Sequence, residues 1–104
     1  MDFEMIAAKE IDSYIQDKTA FFIDLRTPEE YRNVHIRGAI NIPYEKLTKC
    51  MALPADKAII LYCERGSVSL MAAKELARRG YHVKSVAGGI HSYRGAYKES
   101  FSRK

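Results

Sequence analysis

One stretch constrains the fold of this chain more than any other. It is an apolar run that leads through a cysteine and a polar turn into a helical pattern. The run Ala58–Tyr62 is apolar and partly β-branched, which is typical of a buried strand. After Cys63 and a turn with Gly66, apolar residues return at helical spacing: Leu70, Ala73, Leu76 and Ala77. Gly80 is predicted to end that helix. Cys63 is therefore predicted at the carboxyl end of a strand, where open α/β sheets bind their ligands.

This placement favours a reactive thiol. An unperturbed cysteine is only about 3% thiolate at pH 7, whereas unpaired N–H groups at a helix N-terminus stabilise the anion. Gly66 allows a tight turn in which successive amides converge on one anion. The turn also carries polar and charged side chains, namely Glu64, Arg65, Ser67 and Ser69. We therefore interpret Cys63 as a nucleophile rather than as a small buried hydrophobic residue.

Segments with strand patterns alternate with segments with helix patterns along the rest of the chain. Strands are predicted at Phe3–Ile6, Ala20–Leu25, Ala39–Ile42 and His82–Val86. Helices are predicted around Ile11–Ile15, from Thr27 onward, over Tyr44–Met51 and from Ile90 to Tyr97. The clearest helix start is a capping box in which Thr27 is the N-cap, Pro28 is the first residue and Glu30 the third. This alternation predicts one α/β domain over residues 1–104, with a parallel sheet and helices on both faces.

Composition and charge argue against several classes of function. The 104 residues are enough for one domain with a modest core. No apolar stretch approaches the roughly 20 residues that span a bilayer, so no membrane partner is expected. The formal charge is +4, and the basic residues are not clustered as they are in proteins that bind nucleic acids. Met1–Glu4 lacks the features of a signal peptide, so we expect a cytoplasmic protein whose two cysteines are thiols.

Three kinds of cysteine chemistry can be weighed from the residues. A cysteine phosphatase needs an arginine clamp after five intervening residues, and here Ser69 stands at that position. A protease-like pair needs a histidine base, and spacing alone does not separate the candidates, which are His35, His82 and His91. These histidines lack the spacing of metal ligands. Attack on a sulfur atom with a good leaving group needs only a thiolate and donors that hold an anionic persulfide, and the loop suits this chemistry best.

At this point four segments together resemble the rhodanese family, and the resemblance covers nearly the whole chain. Cys63–Ser69 is similar to its Cys-x-x-Gly-x-x-Ser active-site loop, which is one residue shorter than the loop of related phosphatases. Asp24–Tyr31 is similar to the Asp-x-Arg-x-x-x-Glu-Tyr/Phe signature, and His35–Pro43 resembles the His-Ile-x-Gly-Ala-x-Asn-Ile-Pro segment. Gly88-Gly89 followed by Tyr93 resembles the family's Gly-Gly-x-x-x-Trp.

The resemblance implies a rhodanese-like fold, with a five-stranded, mostly parallel central sheet and helices on both faces. It also implies a sulfurtransferase cycle without metal or organic cofactor. Cys63 would take the sulfane sulfur of a donor such as thiosulfate or a persulfide, and a thiol or cyanide would accept it. A sulfur-relay protein is a further possible partner. The persulfide would be cradled by the loop Glu64, Arg65, Gly66, Ser67, Val68 and Ser69.

Glu64 and Val68 qualify this expectation. Glu64 adds negative charge where a donor approaches, and Val68 occupies a position that is often polar in the family. We therefore expect weak activity with thiosulfate, and consider a persulfide or a protein partner as the donor.

Asp24 and Arg26 follow a strand at the same sheet edge as Cys63. A structural ion pair is their commoner role, and support of the active site is the alternative.

The remaining expectations concern departures and alternatives. Val34 and Tyr93 stand where the family usually has glycine and tryptophan, which we interpret as a local backbone change and a packing change. Cys50 is interpreted as a core residue, and resolution of a persulfide on Cys63 is the alternative. Two other functions stay open: a non-catalytic interaction module, and a cysteine phosphatase or arsenate reductase.

Overall fold

A computed structural model of the chain describes residues 3–49 and 52–101. In chain order, its elements are β1 (Glu4–Ala7), α1 (Ile11–Asp17), β2 (Ala20–Asp24), α2 (Pro28–Asn33), β3 (His35–Ile36), β4 (Ile40–Asn41), α3 (Tyr44–Leu47), β5 (Ala58–Tyr62), α4 (Ser67–Arg78), β6 (Val83–Ala87) and β7 (Lys98–Glu99). Single 3₁₀ turns at Ala8–Glu10 and Ile90–Ser92 precede α1 and follow β6.

The central sheet has five strands in the order β1-β6-β5-β2-β4, and every pairing is parallel. This confirms the predicted α/β architecture. The apolar run Ala58–Tyr62 forms the central strand β5, which is why it is buried on both faces. Asp24 lies opposite Tyr62 in the register of β2 and β5. The residues that follow these two strands therefore emerge side by side at one edge of the sheet.

Separate apolar cores lie on the two faces of the sheet, so the predicted placement of helices on both faces is confirmed. The first core lies under α1 and includes Ile6, Ile11, Phe22, Ile60 and Val86. The second lies under α3 and α4 and includes Ile23, Leu47, Ile59, Leu61 and Leu76. In residues 3–49 and 52–101, every helix is too short or too polar to span a bilayer.

Local signals placed two helix ends correctly. The Thr27 side chain accepts from the Glu30 amide at 3.2 Å, and the Glu30 carboxylate accepts from the Thr27 amide at 3.0 Å. This is the predicted capping box. At the end of α4, Gly80 has a φ of 98°, and the amides of Gly80 and Tyr81 donate to the carbonyls of Ala77 and Leu76. Gly80 therefore ends the helix as predicted, in a Schellman motif.

The third helix is shorter than predicted, because α3 ends at Leu47 rather than near Met51. The Thr48 hydroxyl donates to the Glu45 carbonyl at 3.2 Å, and the Lys49 amide donates to the Lys46 carbonyl at 3.1 Å. These bonds tighten the last turn, and the α-helical hydrogen-bond pattern ends here. The predicted positions of Cys50 and Met51 lie outside the described residues.

The predicted final helix from Ile90 to Tyr97 is wrong. Only Ile90–Ser92 turns, as a single 3₁₀ turn, and Tyr93 is already extended. The chain then runs back to form β7, which pairs antiparallel with β3. Neither of these short strands was predicted from the sequence. The spacing of Ile90, Tyr93 and Tyr97 imitated a helix because Tyr93 packs into the first core through long-range contacts.

Tyr93 fastens this C-terminal segment to α1. Its buried hydroxyl donates to Asp12 Oδ1 at 2.6 Å and accepts from the Tyr97 amide at 2.9 Å. Burial, together with the hydrogen bond to Asp12, raises the pKa of Tyr93 from 10.0 to about 12. The neutral phenol is therefore the form that stabilises the fold. Its contribution is complete below pH 10.0 and is lost as the pH rises toward about 12.

We expect Tyr93→Phe to lower the free energy of unfolding by about 1–3 kcal/mol near neutral pH, because a hydrogen bond to a carboxylate is lost. The difference from the parent should shrink between pH 10.0 and about 12, where the parent's phenol ionises. Urea denaturation across this range measures both effects. Tyr97→Phe is the control, because the Tyr97 hydroxyl only accepts a long bond of 3.3 Å from Gln16. A pH-independent difference for Tyr93→Phe would contradict the assignment.

Candidate functional site

Cys63 lies directly after β5 and four residues before α4 begins, so its predicted placement is correct. The residue is buried, with 5% of its surface exposed. Its Sγ accepts hydrogen bonds from the amides of Gly66 at 3.1 Å and Ser69 at 3.3 Å. Gly66 has a φ of 108°, which lets the chain turn so that both amides face one atom. The geometry provides two N–H donors for an anionic sulfur.

The hydroxyl of Ser69 supports the loop rather than the sulfur. It donates to the Gly66 carbonyl at 3.2 Å and lies 2.9 Å from the hydroxyl of Ser85. Both serines are fully buried. Ser85 lies on β6 and was missed by the sequence reasoning. The alternation of β6 gave a signal, because Ser85 falls on the same side of the strand as the core residue Val83.

The turn after β6 is hydrogen-bonded to the backbone of the cysteine loop. The amide of Ile90 donates to the Cys63 carbonyl at 2.9 Å, and the amide of His91 donates to the Glu64 carbonyl at 3.0 Å. Gly89 makes this approach possible, since a Cβ there would lie 2.4 Å from the Cys63 carbonyl oxygen. The Gly88-Gly89 pair singled out in the sequence thus contacts the backbone of the cysteine loop.

A buried ion pair lies beside the loop. The side chains of Asp24 and Arg26 form two hydrogen bonds, of 3.1 Å from Nε to Oδ1 and 2.9 Å from Nη2 to Oδ2. Asp24 is 0% and Arg26 7% exposed. Burial alone would lower the pKa of Arg26, but the carboxylates of Asp24 and Glu64 outweigh it and raise that pKa. The ion pair expected from the sequence is therefore present.

Arg26 also connects the ion pair to the cysteine loop. Its Nη1 donates to Glu64 Oε1 at 3.1 Å, and its Nη2 also donates to the Val34 carbonyl. The Asn41 side-chain amide donates to the carbonyls of Asp24 and Arg26 at 3.0 and 2.9 Å, which fixes the turn after β2. The contact between Arg26 and Glu64 was not predicted, because no spacing rule relates residues that follow two different strands.

An open cleft of about 530 Å³ leads to Cys63. It lies between the cysteine loop, the start of α2 and α3. Its apolar walls are Leu25, Tyr44 and Val68, and the carboxylates in its lining are Glu30, Glu45 and Glu64. Arg26, Arg65 and Ser67 also line it. The cleft is large enough for an organic molecule.

Comparison with known proteins establishes the family. The family model described as the rhodanese-like domain matches residues 7–96. The chain belongs to the rhodanese-like domain family. Its relatives include a tRNA sulfurtransferase of Desulfurococcus amylolyticus, which is 36% identical over 89% of this chain. A thiosulfate sulfurtransferase of Escherichia coli K12 is 40% identical over 66% of this chain and 69% of its own length.

The match covers 18% of the D. amylolyticus protein, so this chain spans less than a fifth of that relative's length. Among solved structures, the rhodanese-related protein of Thermoplasma volcanium superimposes with a TM-score of 0.81 at 30% identity, over 88% of this chain and 90% of that one. The fold class expected from the sequence is thus confirmed for the rhodanese-like domain.

The histidines considered as bases from the sequence do not line the cleft that leads to the thiol. His35 is buried and stacks on Tyr31 with ring centroids 4.0 Å apart, and its Nδ1 lies 2.7 Å from the Tyr31 carbonyl. His82 lines a different cavity, together with Phe3 and Lys84. No histidine is among the residues that line the Cys63 cleft. Within the described residues, no cluster of acidic, histidine and cysteine side chains could hold a metal ion.

Proposed function

We propose that the protein is a sulfurtransferase that carries sulfane sulfur as a persulfide on Cys63. The observation that supports this most directly is the pair of hydrogen bonds that the backbone amides of Gly66 and Ser69 donate to Cys63 Sγ. Donors in these positions stabilise negative charge on sulfur, and a bound persulfide carries such a charge on its outer atom. Membership of the rhodanese-like family and the names of its relatives agree with this assignment.

The two half-reactions need no oxidant and no cofactor. The Cys63 thiolate bonds to the sulfane sulfur of a donor such as thiosulfate or a persulfide, and the donor's S–S bond breaks. Sulfite or a thiolate leaves with the electron pair. A thiolate or cyanide acceptor then bonds to the outer sulfur, and the Cys63 thiolate is released. Asp24 and Arg26 support the loop, with Glu64 as the link between them and the cysteine.

The arrangement is less suited to phosphoryl or arsenate chemistry. A phosphatase needs a guanidinium group that is free to clamp the substrate oxygens. The Arg26 nitrogens Nε, Nη1 and Nη2 already donate to Asp24, Glu64 and the Val34 carbonyl. Ser69 stands at the position of the arginine clamp and is fully buried.

Cys63→Ser is expected to abolish sulfur loading. Incubation with thiosulfate or a persulfide, followed by intact mass measurement, should show one added sulfur atom on the parent and none on the variant. Cys50→Ser is the matched control, because it removes the only other cysteine, and it should still be loaded. Transfer of the added sulfur to cyanide or to a thiol should restore the original mass.

Two outcomes would contradict the proposal. An unmodified parent with every donor would overturn it, and partner binding that survives Cys63→Ser would then favour an interaction module. Turnover of an aryl phosphate or of arsenate would favour the phosphatase or arsenate reductase instead.

A further inference from the structure

Glu64 is held at the rim of the cleft by both its main chain and its side chain. Its carbonyl accepts from the His91 amide at 3.0 Å, and its Oε1 accepts from Arg26 Nη1 at 3.1 Å. About half of the side chain, 50%, remains exposed. Since the residue follows Cys63 directly, these two anchors keep a solvent-facing carboxylate beside the path to the thiol.

The charge of Arg26 does not cancel this carboxylate. The guanidinium is paired with two carboxylates, one of them the fully buried Asp24. The three groups together therefore carry a net negative charge, and of the two carboxylates Glu64 is the one that lines the cleft.

The rest of the lining adds to this negative charge. Glu30 and Glu45 also line the cleft, against one further cation, Arg65. Arg65 is exposed, and within the described part of the chain no ion pair holds it over Cys63. Carboxylates thus outnumber cations around a cleft whose other walls, Leu25, Tyr44 and Val68, are apolar. Such a lining favours an organic group without negative charge.

We propose that this cleft selects organic persulfides whose stem is neutral or carries an ammonium group, and that Glu64 sets this preference. The inference rests on the proposed sulfurtransferase function and names its donor class. The Cys63 thiolate bonds to the outer sulfur of the persulfide, the S–S bond breaks, and the stem leaves as a thiolate. Every such donor brings its sulfane sulfur to the same amides. Donors differ in the charge that the stem places beside Glu64, and a second negative charge, as in thiosulfate, is repelled.

The test compares two donors of similar size and opposite stem charge. Cysteamine persulfide carries an ammonium group, and 3-mercaptopropionate persulfide carries a carboxylate. The rate of sulfur loading on Cys63 is measured with each by intact mass, and the ratio is divided by the same ratio for a free small thiol. The parent should favour cysteamine persulfide by about fivefold or more at low salt. In about 1 M salt, where the Debye length is about 3 Å, this preference should largely disappear.

Variants assign the preference to Glu64. Glu64→Gln keeps an oxygen that can accept from Arg26, and it should lower the ratio by about threefold or more while raising the loading rate with thiosulfate. Asp17→Asn removes a carboxylate at the end of α1, before the opposite end of β2, and should leave the ratio unchanged. Loading without a stem-charge preference, or a ratio that Glu64→Gln does not alter, would overturn this inference alone. No loading with any donor would overturn the proposed function as well.

Discussion

Replacing Gly89 by alanine is expected to lower the free energy of unfolding by about 2–5 kcal/mol and to slow sulfur loading by at least about tenfold. Gly89 has a φ of 61° and a ψ of −162°, a combination essentially limited to glycine. An added Cβ would lie 2.4 Å from the Cys63 carbonyl oxygen and 2.5 Å from that of Glu64. Because both contacts are with backbone, no rotamer change relieves them, and the loop that carries the thiol must move.

Gly80→Ala separates the two contributions to this effect. Gly80 also has a positive φ, of 98°, but a Cβ there would meet nothing within 4 Å. Gly80→Ala should therefore lower the free energy of unfolding only through backbone strain, by about 1–2 kcal/mol, and should leave sulfur loading unchanged. Urea denaturation gives the stabilities, and loading is measured under conditions where each variant is folded. Equal effects of the two substitutions on loading would contradict a role for Gly89 in shaping the loop.

The cysteine loop could be predicted from the sequence because its determinants are local. A buried strand, a turn with Gly66 and a helix ended by Gly80 are all signalled within the Ala58–Gly80 segment. The capping box at Thr27 is equally local, since its two hydrogen bonds join residues three apart. In each case, the residues that form the structure are neighbours in the chain.

Features that depend on distant contacts could not be predicted in this way. The final segment has the spacing of a helix because Tyr93 packs into the first core, and its hydroxyl bonds to Asp12, a residue 81 positions away. The hydrogen bond from Arg26 to Glu64 joins residues 38 positions apart, and Ser85 contacts Ser69 because β6 pairs with β5. These contacts are set by the order of strands in the sheet, which hydrophobic periodicity does not encode.

The buried ion pair gives the second large expected effect. Asp24→Asn should lower the free energy of unfolding by about 3–5 kcal/mol, because it leaves the Arg26 charge buried with part of its compensation removed. Glu64 cannot replace Asp24, since it already accepts from a different nitrogen of Arg26 and lies half in solvent. By contrast, the Glu75 carboxylate pairs at the surface with Arg78 and Arg79, and its removal should cost no more than about 1 kcal/mol, so Glu75→Gln is the control.

A double-mutant cycle tests whether the cost comes from the unpaired charge. Arg26→Met should also destabilise the protein strongly, since it leaves Asp24 buried without its partner. The double variant Asp24→Asn, Arg26→Met should be more stable than the sum of the single effects allows, by at least about 2 kcal/mol. Effects that add within about 0.5 kcal/mol would show that the two residues are not coupled. The double variant also removes the hydrogen bond from Arg26 that holds the Glu64 carboxylate at the rim of the cleft, so it should lose part of the stem-charge preference even when it is fully folded. Stability and the proposed donor selection are thus both expected to depend on Arg26.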